Sequence, residues 1–147
     1  MLLLRGIAGT PEIFDELAIN HNLTIPDNKP PMERLLGYKV EYEIIKAEVI
    51  ATPLVTDDNP PLPVRKVIID GLAKISVKYV ADVPDQQVHG AHFDEPFSTL
   101  LEWPGGPAPG SPICVDVLEE HVQIHMLDDR HLSKIIVIQL NISIKEE

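Results

Sequence analysis

Residues 113–144 read ICVDVLEEHVQIHMLDDRHLSKIIVIQLNISI. Two runs rich in Val, Ile and Leu flank DDRH, a short link of turn-forming residues, and each run is of strand length. Successive side chains of a strand point to opposite faces, so this pattern reads as an antiparallel hairpin with Val122 and Ile124 on one inward row and Ile136 and Ile138 on the other. Outward from this hairpin, KVEYEIIKAEVIAT (39–52) alternates Val40, Tyr42, Ile44 and then changes phase to Ile45, Ala47, Val49. A long strand with a bulge or face switch at Ile44–Ile45 accounts for that change. In KVIIDGLAKISVKYV (66–80) the apolar runs continue on both sides of Asp70-Gly71, which reads either as a hairpin turn or, the favoured option, as a bulge. VHGAHF (88–93) and PFSTLLEW (96–103) follow, the second with Phe97, Thr99, Leu101 and Trp103 on one face. PLVTDDNPPLPVR (53–65) and PGGPAPGSP (104–112) have no period and read as loops.

This gives about six strands and almost no helix after residue 36, which points to an all-β domain, an antiparallel β-sandwich or open barrel, rather than an α/β one. The core expected from the alternation comprises Val67, Ile69, Ile75, Val77, Phe97, Leu101, Val122, Ile124, Ile136 and Ile138. The strand–DD link–strand order of 48–77 and 121–144 also reads as two related hairpins packed face to face. At the N-terminal end, TPEIFDELAI (10–19) offers Thr10 as an N-cap, Pro11 at the first helical position, and Ile13 and Leu17 on one face with Phe14 or Ala18. It predicts a short helix at about 11–19. The prolines of NLTIPDNKPP interrupt regular structure, and MERLL reads as a helical turn closed by Gly37. The expected organisation is an N-terminal arm with a short helix at 1–36 and a β domain at 37–147.

Composition narrows the partners. A chain of 147 residues, 44% apolar, builds one core. A net charge of −11 with no basic stripe repels phosphate backbones, so no nucleic acid partner is expected. The opening MLLLRG places Arg5 after the leucines, and no long apolar segment follows. It reads as neither a secretory signal nor a membrane span, and the chain is expected to be made in the cytoplasm and to have no membrane partner. The single cysteine, Cys114, cannot form an internal disulfide and is given no role.

Four segments in order, LTIPDNKPP (23–31), RKVIIDG (65–71), YVADVPDQQVHGAHFDEPFST (79–99) and LDDRHLSKI (127–135), resemble the SPOCS domain, a family found in spore-coat morphogenesis proteins of spore-forming Firmicutes such as SipL. The resemblance runs from about Asn22 to Ile144. It takes in Val88, His89, His92, Phe93, Pro96 and Phe97, and then Asp128, Asp129 and Arg130, as family motif residues. It implies a β-rich domain of spore envelope assembly, with no established catalysis and frequently with a peptidoglycan-binding LysM module after it. Only three residues follow Ile144 here, so wall attachment through LysM is not expected of this chain. The implied location is the spore coat or spore surface, or an extracellular assembly.

The histidines are the residues with the chemistry to argue otherwise. His89 and His92 would diverge on a regular strand and converge only over a bulge at Gly90. A zinc ion needs three or four convergent ligands, and Asp85, Asp94 and Glu95 are the nearby candidates. The reading favoured is no metal: His89 half-buried at a corner and bonded to backbone, with Phe93 and Phe97 anchoring that corner in the core. His121 and His125, in HVQIH, have the spacing of a zinc-protease helix, but Val122 stands where the catalytic Glu is needed. On a strand they share a face, either as an outward polar row or as a stripe toward another subunit, in which case assembly would respond to pH. Ser98, Ser111 and Ser133 lack a nucleophile-elbow context, Asp57-Asp58-Asn59 lacks calcium-loop alternation, and Gly105-Gly106 lacks a strand-to-helix phosphate cradle. No enzyme and no cofactor are expected.

Two functions follow as expectations. The first is a structural protein that self-assembles into a spore-envelope layer, shell or filament, as a homo-oligomer and with other spore-coat proteins. Its contacts would run through strand edges, through Leu2, Leu3, Leu4 and Ile7 of the arm, or through His121 and His125. The alternative is a non-catalytic adaptor that recognises a coat protein or glycan through Trp103 and PGGPAPGSP.

Overall fold

A computed structural model describes residues 12–145. The described chain is all strand and turn: β1 Ile13–Ile19, β2 Leu23–Thr24, β3 Met32–Ile50, β4 Val64–Ala81, β5 Val88–Pro104, β6 Ile113–Met126 and β7 His131–Ile144. Five of these are long, and all pairing is antiparallel, in two sheets. One sheet has the order β3-β4-β5. In the other, β7 is central, with β6 on one edge and β1 and then β2 along the other.

The central strands carry the core because they are covered on both edges. Leu132, Ile136, Ile138, Leu140 and Ile142 of β7 and Val67, Ile69, Ala73 and Ile75 of β4 are completely buried, and they belong to one cluster that both sheets share. Each fully buried aliphatic side chain of this kind contributes roughly 1.5–3 kcal/mol. Nine of the ten expected core residues are buried, and Val122 is half-buried against them. The all-β, antiparallel expectation holds, and DDRH joins β6 to β7 as a hairpin whose last pair is Met126–Leu132.

The predicted N-terminal helix is not formed. Residues Ile13–Ile19 are a strand that pairs with β7 from Ile13–Ile142 to Ile19–Ile136. Ile13, Leu17 and Ile19 also satisfy a period of two, and a seven-residue helix is marginal by itself whereas a strand against β7 gains a full ladder. Asp15, which faces inward on this strand, accepts a hydrogen bond from the Thr99 hydroxyl at 2.7 Å. MERLL is likewise the start of β3 rather than a helical turn. Register shifts between Met32 and Arg34 and between Leu35 and Gly37 break its alternation, and that irregularity mimics a helical period. β1, β2 and the start of β3 thus bring parts of the expected 1–36 arm into the sheets, with loops at 20–22 and 25–31 between them.

The expected phase change at Ile44–Ile45 is present as a register shift between Ile44 and Lys46. Asp70-Gly71 contains neither turn nor bulge: β4 runs straight through it, and the extra residue is Ile45 on the strand opposite. Gly71 is required by a close approach, because a Cβ there would lie 2.4 Å from Cζ of Phe97, its register partner on β5. At the far end of β5, Trp103 is 4% exposed and closes the core, with Gly106 against its indole. It is not available as a stacking surface.

Candidate functional site

An aspartate at the start of a tight turn takes hydrogen bonds from backbone N–H groups further along it. Asp128 Oδ1 accepts from the N–H groups of Arg130 at 2.9 Å and His131 at 2.8 Å, and lies 2.8 Å from His131 Nδ1. The Arg130 N–H, followed by the His131 side chain, holds the Asp128 carboxyl below its ordinary value. The turn so fixed grips the neighbouring loop. Arg130 Nη1 donates to the carbonyl oxygens of Pro26 and Lys29, both at 3.1 Å, while the carbonyls of Arg130 and Asp129 accept from Ile25 and Met32 at 2.7 Å.

The same loop is held from the other sheet. The Tyr79 hydroxyl donates to the Pro30 carbonyl at 2.8 Å, and the Asp82 N–H donates to the Pro31 carbonyl at 2.8 Å. The Tyr79 ring, completely buried, stacks on His89 with centroids 6.1 Å apart. LTIPDNKPP, LDDRH and YVADVPDQQVH thus meet at one end of the molecule, and RKVIIDG meets PFST where Gly71 sits under Phe97. The first three hold the two sheets and their connecting loop together, while RKVIIDG packs β4 on β5 within one sheet.

His89 and His92 do not converge. β5 passes through Gly90 without a register shift, so His89 faces Tyr79 while His92 lies on the outer face, 2.9 Å from Asp94 Oδ1. Phe97 is buried and Phe93 is packed against the core, as expected, but along a continuous strand and not at a corner, and His89 is held by stacking on Tyr79 and not by the expected backbone bond. Val88 and Pro96 are exposed. Among the described residues, no group of three or more His, Cys, Asp or Glu side chains is placed to hold a metal ion.

Sequence reasoning missed the charged pair inside the domain. Lys134 of β7 is 1% exposed and forms an ion pair with Glu95 of β5, across the space between the two sheets. The signal was legible: Lys134 has the parity of Leu132, Ile136 and Ile138, and a cation at an inward position demands an inward carboxylate. A second link joins the sheets at their β3–β6 edge, where the Tyr42 hydroxyl donates to Glu119 Oε2 at 2.7 Å. Burial first, and then Glu119, push that hydroxyl's pKa far up.

His121 and His125 do share a face. A register shift between Glu119 and His121 moves the exposed parity of β6 from Asp116 and Leu118 to His121, Gln123 and His125, so all five look outward together. His125 Nε2 lies 2.8 Å from Ser133 Oγ, a pairing the sequence did not reveal. The Asp128 contact is made by a different histidine, His131, so no Asp-His-Ser relay exists in this cluster. Leu2, Leu3, Leu4 and Ile7 lie outside the described residues. No helix among the described residues is long and apolar enough to cross a membrane.

No curated protein and no solved structure matches the chain. The family described as SipL, SPOCS domain matches residues 31–127. That span takes in β3 to β6 and stops short of the DDRH turn, narrower at both ends than the expected 22–144. It nevertheless covers more than half of the sequence, and on it the chain belongs to the SipL SPOCS domain family.

Proposed function

We propose that this chain is a non-catalytic structural domain of the spore envelope that assembles with copies of itself, and with other spore-coat proteins, into a layer, shell or filament. The observation that carries the reading is membership of the SPOCS family, which ties the chain to the spore. The fold supports it in two ways. Tyr79, Arg130 and the Lys134–Glu95 pair hold sheets and loops together, while Val88, His92 and Pro96 stay exposed on an outer face open to contacts. Among the described residues, each sheet also ends in strands paired on one side only, and such edges accept a further strand.

The apolar segment with Leu2, Leu3, Leu4 and Ile7 is the proposed connector. Burying these four side chains against a neighbour is worth roughly 6–12 kcal/mol, about the cost of ordering residues 2–7 at about 1–2 kcal/mol each, so backbone pairing with a neighbour's strand edge has to supply the surplus. Negative-stain imaging of the full chain beside a variant lacking residues 1–9 tests this. The full chain should form regular particles, and the shortened one should keep its β circular dichroism but lose them. Equal assembly by both would remove the arm as connector.

A second reading, an adaptor for a coat protein or glycan, draws on the loop between β3 and β4, where Leu54, Val55 and Leu62 are exposed around a bridge between Val55 and Pro63. A strictly monomeric chain that binds spore-coat extract through that loop would favour it.

A further inference from the structure

Of the sheet edges among the described residues, all but one are guarded against a further strand. β3 is broken by three register shifts, β6 by one, and the β1–β2 edge is built of strands of seven and two residues. β5 runs for 17 residues without a shift. Proline has no N–H, so the pairs Leu72–Pro96 and Val64–Pro104 exchange no hydrogen bonds. In an unshifted antiparallel ladder the backbone groups of the even-numbered residues of β5 then point away from β4. Ser98 and Leu100 therefore present N–H and C=O to the open edge, and Pro96 presents its C=O.

The outer face beside that edge is apolar with one carboxylate set in it. Along β4 the outward residues are Ile68, Asp70 and Leu72, and their partners on β5 are Leu100, Ser98 and Pro96, so apolar, polar and apolar positions alternate on both strands. Ile45, turned outward by its bulge, is exposed beside them, and an open groove of about 540 Å³ passes over Asp70 and Ser98. Lys46, the register partner of Asp70, pairs with Glu48 instead, and Lys74 pairs with Glu43. Among the described residues Asp70 forms no ion pair. The chain carries the complement of this pattern ahead of Glu12, in Leu3, Arg5 and Ile7, which would share one side of an extended strand. Laid antiparallel on β5 with Arg5 opposite Ser98, such a strand sets Leu3 beside Leu100 and Ile7 beside Pro96. The Cα of Arg5 is then two strand spacings, roughly 10 Å, from that of Asp70, a gap the two side chains span together over the small Ser98.

A chain cannot make this antiparallel contact with its own edge. Thr99 bonds Asp15 and Glu95 pairs with Lys134, which lies past the Ile19–Ile136 pair, so β1 and β5 run in opposite directions. Glu12, three residues before Asp15, is therefore level with Glu102, three after Thr99. Pro96 is six residues, roughly 20 Å, from that level, and crossing from sheet to sheet adds roughly 10 Å. The five residues from Ile7 to Glu12 reach at most about 18 Å. The chain's own segment can lie on β5 only in parallel, the weaker pairing. We infer that the β5 edge is the acceptor for the N-terminal segment of a second copy, with Arg5 held by Asp70. This rests on the self-assembly reading and names the surface its connector takes. Each chain has one such segment and one such edge, so the contact runs head to tail and propagates unless it closes into a ring.

Light scattering on variants of the full chain tests the inference. Ser98→Pro removes an N–H that β4 does not use, so it should keep the β circular dichroism and the unfolding midpoint while the mean mass falls to that of one chain. Arg5→Asp and Asp70→Arg should each lower the mean mass at a fixed concentration, and the two together should restore it. In a Cys114→Ser background, Leu3→Cys with Leu100→Cys should yield disulfides between chains on a non-reducing gel. Disulfides within single chains would mean that the segment covers its own edge, and they overturn the proposal. So does a Ser98→Pro chain that assembles like the wild type, or a charge exchange that restores nothing. Assembly that needs residues 1–9 but ignores Ser98→Pro and Asp70→Arg would sink this acceptor and leave the connector standing. A wild type that stays a single chain at every concentration would sink both.

Discussion

Lys134 sits at 1% exposure, and its ammonium is paired with the Glu95 carboxylate between the sheets. Glu95→Ala should cost about 3–5 kcal/mol in urea unfolding, because it strands a buried cation, whereas replacing both partners by apolar residues, Glu95→Leu with Lys134→Met, should cost little or stabilise. A double variant as unstable as Glu95→Ala alone would contradict that account. Gly71 makes a similarly local demand: a Cβ would sit 2.4 Å from the Phe97 ring, so Gly71→Ala should destabilise by about 1–3 kcal/mol of overpacking, and much of that should return with Phe97→Leu. At this scale the sequence showed that Lys134 had the parity of a core residue, but not which carboxylate would meet it. A partner across two sheets has no fixed spacing in the chain.

Local patterns were most legible where an element keeps one period. β7 and the DDRH hairpin could be read directly, and the phase change at Ile44–Ile45 located a real register shift, whereas the break expected in β4 at Asp70-Gly71 and the corner expected at His89 are absent, because β4 and β5 pair without interruption. β1 was misread because seven residues with Ile13, Phe14 and Leu17 fit two periods, and pairing with β7 decided between them. The DDRH turn makes a pH-dependent prediction. The Asp128 carboxyl is held below its ordinary 3.8 by the Arg130 N–H and His131, so the native turn favours the ionised form. Its stabilising contribution is complete above the ordinary value and is lost as the pH falls through the lower, folded-state one. The stability gap between the wild type and Asp128→Ala should therefore be constant from pH 7 to about 5 and should narrow below about 4. A gap that widens in acid would contradict the assigned cause.

Across the whole molecule, the segments 23–31, 79–99 and 127–135 lie where sheet meets sheet and loop meets turn, and there residues with suggestive chemistry serve the fold. His89 stacks, Arg130 clamps two carbonyls, Tyr79 reaches Pro30, and the two sheets are tied by Lys134 to Glu95 and by Tyr42 to Glu119. The candidate metal pair of His89 and His92 dissolved because a regular strand turns them to opposite faces. The row of His121 and His125 was legible as a shared face, but its continuity with Leu118 and Asp116 depends on a bulge at Glu120 that the sequence does not mark. The proposal of assembly rests on the family, since contacts between copies would impose no period on a single chain. Sedimentation velocity of the full chain at neutral pH, from about 1 to 100 µM, bears most directly on the central claim. The account predicts species well above twice the 16.4 kDa chain that grow with concentration, and a single 16.4 kDa species throughout would contradict it.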